Sequence, residues 1–171
     1  MSVDDSNFIQ SYKENINYNI KFYQKYKLDD IIYTVLLKGD DTQGKFSLVE
    51  MDFPLEKEKT IAMHRHTRED IILYVIEGSF SIKYGNGIIK GMPGMAIKLE
   101  KNIKHSFKKV GNGQGRLLML FFPAGFEKYF GDLESSSLSS LNNESIQNLD
   151  GYDERVRLHL LEKNYGWIFS M

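Results

Sequence analysis

The chain has 171 residues, no cysteine and a formal net charge of −1. That length suits one domain with a real core and leaves little room for two; the missing cysteines exclude disulfides, thiolate metal ligands and a cysteine nucleophile. Near-neutrality gives no electrostatic reason for nucleic acid or an anionic membrane as partner, and no apolar run approaches the roughly 20 residues that span a bilayer.

The opening, Met1 to Gln10, is acidic and polar and does not read as a secretory signal, so a cytoplasmic protein is the default expectation. Residues 1–30 are taken as an N-terminal arm, aromatic and basic over Tyr18–Tyr26. From residue 31 to residue 123 short β-rich runs alternate with turn residues. Strands are expected at Ile31–Lys38, Lys45–Asp52, Thr60–His66, Ile71–Ile76, Ser79–Tyr84, Ile88–Lys90, Ala96–Leu99, Lys104–Lys109 and Arg116–Phe122. The separators carry the right chemistry: Gly85-Asn86-Gly87 for a hairpin, then Gly91-Met92-Pro93-Gly94 and Gly111-Asn112-Gly113. Many short strands without intervening helices indicate an all-β barrel or jelly roll.

Residues 124–171 form a different zone, expected to pack on the barrel as a short helical extension. Phe126, Tyr129, Phe130 and Leu133 recur at helical spacing. Ser135–Asn148 reads as a surface linker, and Asp153 as the cap of a second helix carrying Val156, Leu160 and Leu161 and ending near Gly166. Trp167-Ile168-Phe169 is apolar enough to return to the barrel.

Three of the four histidines have informative surroundings. His64 and His66 are two apart on one expected strand, so their imidazoles share a face. His105 lies on a later strand with Phe107 on the same face. An antiparallel barrel brings such strands together, and three neutral imidazoles then face one ion. His159, on the second helix beside Arg155 and Arg157, is read as a solvated helix residue. No Ser-His-Asp or nucleotide-binding pattern is identifiable.

The run from His64-Arg65-His66 through Gly78 resembles the first motif of the cupins, and Pro93-Gly94 followed by Ile103-Lys104-His105-Ser106-Phe107 resembles the second. Tyr33-Thr34-Val35-Leu36, Gly44-Lys45-Phe46-Ser47-Leu48 and the stretch Pro123–Phe130 are similar to quercetin 2,3-dioxygenase-like single-domain cupins. The resemblance implies a double-stranded β-helix (jelly-roll) barrel with a pocket at one mouth and a homodimeric assembly. It makes His64, His66 and His105 candidate metal ligands, with Ile71, Leu73 and Phe107 lining a substrate pocket.

The motif is incomplete. Counting back from Gly78, the glutamate that normally joins the histidines falls on Ile71. Glu69 and Asp70 are second-rank candidates, because Asp70 belongs to the opposite face and Glu69 to the preceding turn. In the second motif, Glu100-Lys101-Asn102 and Lys109 replace the expected residues. Two chemistries stay open. One is a metal-dependent, dioxygenase-like oxidoreductase using Fe, Ni, Zn, Mn or Cu on an aromatic or enol-type small molecule. The other is a metal-free, non-catalytic small-molecule-binding or sensor domain.

Overall fold

The computed structural model describes residues 23–56, 58–135, 147–148 and 154–169. In chain order these form β1 (Gln24–Leu28), β2 (Ile31–Leu37), a 3-10 turn (Gly39–Thr42), β3 (Ser47–Phe53), β4 (Thr60–His66), β5 (Asp70–Glu77), β6 (Ser79–Tyr84) and β7 (Gly87–Gly91). There follow β8 (Ala96–Leu99), β9 (His105–Val110), β10 (Gly115–Phe122), α1 (Lys128–Ser135), β11 (Gln147–Asn148), α2 (Glu154–Tyr165) and β12 (Trp167–Phe169).

Alternation makes these strands. Along β3 and β10 every second residue is buried, so each presents one apolar face to the interior. The strands form two sheets, in the orders β11-β1-β2-β3-β10-β5-β8 and β12-β4-β9-β6-β7. The described pairings are antiparallel except β1 with β11. Ile71, Leu73, Val75, Leu117, Met119 and Phe121 of one sheet join Phe80, Ile82 and Phe107 of the other in a single core. The result is the expected jelly-roll barrel. Gly78 turns the chain from β5 into β6 at φ +85°, where an added Cβ would sit 2.5 Å from the Gln114 carbonyl oxygen. Only glycine fits there.

The expected strands return with ends shifted by a residue or two. The differences lie outside residues 31–123. The arm contributes β1, paired to β2 from Gln24↔Val35 to Leu28↔Ile31, with Tyr26 and Leu28 buried. Its turn, Asp29-Asp30, takes positive φ at both residues (53° and 64°), a geometry usually signalled by Asn-Gly. Two aspartates hide that hairpin from a sequence reading. Asp153, most of the expected linker and residues 18–22 of the arm lie outside the described residues.

Helix α1 sets Phe130 against Tyr26 of β1 and Tyr33 of β2. Phe126 precedes α1, and it is buried together with Tyr129, Phe130 and Leu133. Helix α2 is tied down by a two-pronged pair, Arg157 donating to Asp29 Oδ1 (3.2 Å) and Oδ2 (2.6 Å), and by Tyr165 donating to Asp132.

Candidate functional site

Strand β4 ends with His64 and His66 turned inward, each only 1% exposed, and β9 sets His105 directly across from His64. The ladder between β4 and β9 slips between Ile61 and His64. That bulge lets Ile61 and His64 both reach the interior cavity although they stand three positions apart on the strand.

One ring nitrogen from each histidine lies within 4.8 Å of the others. Ring centroids are 4.4 Å apart for His64 and His105, 5.3 Å for His64 and His66, and 5.7 Å for His66 and His105. Every Nδ1 has an acceptor. His64 Nδ1 meets the Ala62 carbonyl at 2.7 Å, His105 Nδ1 the Ile103 carbonyl at 3.0 Å, and His66 Nδ1 the Glu69 Oε2 at 3.3 Å. A carbonyl only accepts, so the ring proton sits on Nδ1 and a lone pair is left on Nε2. All three Nε2 atoms are buried, and among the described residues no group bonds to them. Burial holds His64 well below its ordinary protonation range, and the adjoining His105 and His66 push the same way. Burial likewise lowers His105 to about 4, with His66 assisting. These two rings are neutral donors at physiological pH, as metal binding requires.

The cavity beside the nitrogens is small and apolar. Tyr33, Val49, Met51, Phe107, Phe121 and Phe126 are among the side chains around it. Its free volume of about 20 Å³ holds about one water. The reason is Trp167. Strand β12 pairs with β4 residue for residue, Trp167↔His66 through Phe169↔His64. The indole stacks on His64 at 3.9 Å and 20°, and on Phe126 at 5.3 Å and 30°. A larger, open depression of about 350 Å³ lies near Gly39, Gly44 and Glu127. Its buried carboxylate is already committed, accepting from Gly39 N at 2.8 Å and Gly125 N at 2.7 Å, which leaves the histidine cavity as the candidate site.

Residues 52–121 match the family model described as Cupin domain. The barrel has the cupin fold and is similar to that domain over those residues. Among solved structures, KdgF from Halomonas sp. shares the fold at a TM-score of 0.52 and 20% identity, over 66% of this chain and 95% of that one. A predicted oxalate decarboxylase from Thermotoga maritima follows at 0.52 and 16%, over 59% and 91%. An RmlC-like cupin from Shewanella frigidimarina gives 0.51 and 17%, over 66% and 94%. Likeness at such identities establishes the cupin fold and not an activity. No curated protein matches the sequence.

Within this barrel the structure brings His64, His66 and Phe107 to one cavity and sets His105 beside it, opposite His64. Ile71 and Leu73 are fully buried on β5, in register with Phe121 and Met119 of β10, and stand behind the cavity wall instead of in it. Asp70 turns outward to accept from Lys101 N at 2.8 Å. His159 is exposed on α2. Two further contributors stand beside the three histidines, one ranked second by the sequence reading and one given no place in the site. Glu69 is 3% exposed and backs His66, the outer partner that a ligating imidazole needs. Trp167 comes from the far end of the chain. Glu69 was legible as an acid in the turn three residues beyond the second histidine; Trp167 was legible only as part of an apolar C-terminal run expected to return to the barrel.

Proposed function

We propose that this cupin-fold protein is a metal-dependent, dioxygenase-like oxidoreductase. His64, His66 and His105 hold one divalent ion, and an oxygen-bearing aromatic or enol compound is the substrate. The observation that carries the reading is the trio of buried Nε2 acceptors left without a protein partner while every Nδ1 is engaged. A buried polar group without a partner costs about 1–3 kcal/mol, and three side by side demand a common purpose.

Three imidazoles suit Fe, Ni, Zn, Mn or Cu. Such an ion supplies Lewis acidity and, where it is redox-active, access to dioxygen. The protein does the rest. Backbone carbonyls of Ala62 and Ile103 and the carboxylate of Glu69 fix the rings and their protons. With no carboxylate among the donors, the centre keeps a positive charge that favours an anionic ligand. Phe107, Phe121 and Phe126 keep bulk water from the centre. A homodimer belongs to the same proposal.

Trp167 is the only tryptophan, and its ring lies 3.9 Å from that of His64, so its emission reports the site. Titrating metal-stripped protein, prepared without a histidine tag, with Ni²⁺ or Cu²⁺ is expected to quench that emission with saturation at one equivalent. His105→Ala, which leaves the indole stack in place, should abolish the saturable phase. Unchanged emission, with no metal retained on adding Fe, Ni, Zn, Mn or Cu, overturns the reading.

A second reading draws on Ile71 standing where the cupin motif carries a glutamate. A metal-free binding or sensor domain would need no oxygen donor on that wall. It predicts stabilisation by an apolar ligand that chelator leaves unchanged.

A further inference from the structure

The cavity admits about one water, yet an aromatic substrate of the proposed kind has a ring. The side chain filling the difference is Trp167. Its indole lies nearly parallel to His64 and to Phe126, in a slot one ring thick. Its Nε1 is buried with no protein partner, so no hydrogen bond rewards the indole for staying. The strand beneath it is at the edge of its sheet and held by three residue pairs, all half-buried. Gly166 joins that strand to α2 at φ +64°, where an added Cβ would lie 2.2 Å from Thr67 Oγ1. Arg68 donates to the carbonyls of Asn164 and Lys163 at the end of α2, and Thr67 N to that of Gly166 at 2.9 Å. The loop that follows the paired histidines therefore clasps the base of the tryptophan strand.

We infer that Trp167 is the specificity-determining residue of the site: the indole occupies the place over His64 that a ring-sized ligand takes, and such a ligand enters only as β12 leaves its edge position. This rests on the three-histidine centre proposed above. The ligand class is a flat ring bearing oxygen donors, matched to the slot between His64 and Phe126.

Catechol is the probe, read by the visible absorption of Co²⁺-loaded protein. Catechol should half-saturate Trp167→Ala at a concentration at least tenfold below that for wild type, with Trp167→Phe between them. Met119→Ala enlarges the same cavity through another wall residue and should gain far less than Trp167→Ala. In zinc-loaded wild type, catechol binding should shift the tryptophan emission to the red as the indole leaves. Equal half-saturation in wild type and Trp167→Ala, an equal gain in Met119→Ala, or binding with unshifted emission each overturns the inference. Where Co²⁺ gives no band in any form, the metal reading fails by itself, and thermal shift with indole decides the gate. Indole should raise the Tm of metal-free Trp167→Ala and not that of wild type; no difference sinks it. Should Trp167→Ala fail to fold, Trp167→Phe serves in both arms.

Discussion

Strand β9 carries His105, Phe107 and Lys109 on one buried face, and its two ends treat a buried polar group in opposite ways. At one end the His105 Nε2 faces two more imidazoles with no protein partner. At the other, the Lys109 ammonium donates to the carbonyls of Pro54 at 2.8 Å and Leu55 at 2.9 Å. A buried charge with hydrogen-bond partners is a clamp; a cluster of buried lone pairs without them is a receptor. The difference separates the clamped end of the strand from the end that carries the proposed centre.

The largest expected effect breaks the clamp. Lys109→Ala removes two charge-assisted hydrogen bonds and leaves a void under the loop after β3, a loss of about 3–5 kcal/mol. Urea denaturation of metal-free protein measures it, and metal bound per folded molecule should stay unchanged. A loss below about 1 kcal/mol would show that the clamp is ornamental. Next comes the receptor. His105→Ala should lower affinity for the preferred ion by more than about 100-fold, beyond the range typical of outer-shell changes. Its metal-free stability should change less than in the lysine variant. Competition with a chromophoric chelator gives the affinity; comparable affinities in the two forms would take His105 out of the site.

Glu69→Gln tests the outer partner. The amide can still accept from His66 Nδ1, but it gives up the carboxylate charge. An affinity loss of about 10–100-fold is expected, with stoichiometry held at one. Glu69→Ala should lose more than Glu69→Gln. An Ala variant that equals wild type would make Glu69 a bystander.

What the sequence made legible was local. Short β-rich runs between turn residues revealed β3 and β10, Gly85-Asn86-Gly87 revealed the β6–β7 hairpin, and the spacing of His64 and His66 revealed a shared face. Joining His105 to them needed the cupin motif, because register across β4 and β9 is a tertiary fact. The Nδ1 acceptors of His64 and His105 are backbone carbonyls two residues upstream, and a backbone atom leaves no trace in residue identity. Trp167 reaches His66 across about a hundred residues by strand pairing, and three apolar residues carry no register of their own. Lys109 was visible only as a departure from the motif. Its role depended on where the loop carbonyls of residues 54 and 55 would fall.

The smallest effect sharpens the same comparison through pH. His105 protonates near the ordinary value of 6.5 when unfolded and only at about 4 when folded, because burial penalises its charged form. Between those values the unfolded chain binds the extra proton, so metal-free stability falls as pH drops from 6.5 towards 4 and levels off below. The contribution of His105 should amount to about 1 kcal/mol by pH 5.5. His64, lowered in the same direction, adds to the slope. Urea midpoints measured across this window should show the decline in wild type and a shallower one in His105→Ala. A bound ion holds the Nε2 lone pairs against protons, so the metal-loaded protein should keep its midpoint further down the pH scale. Identical profiles for wild type and His105→Ala would mean that the imidazole is not buried as a neutral donor, and the contrast between the two ends of β9 would collapse.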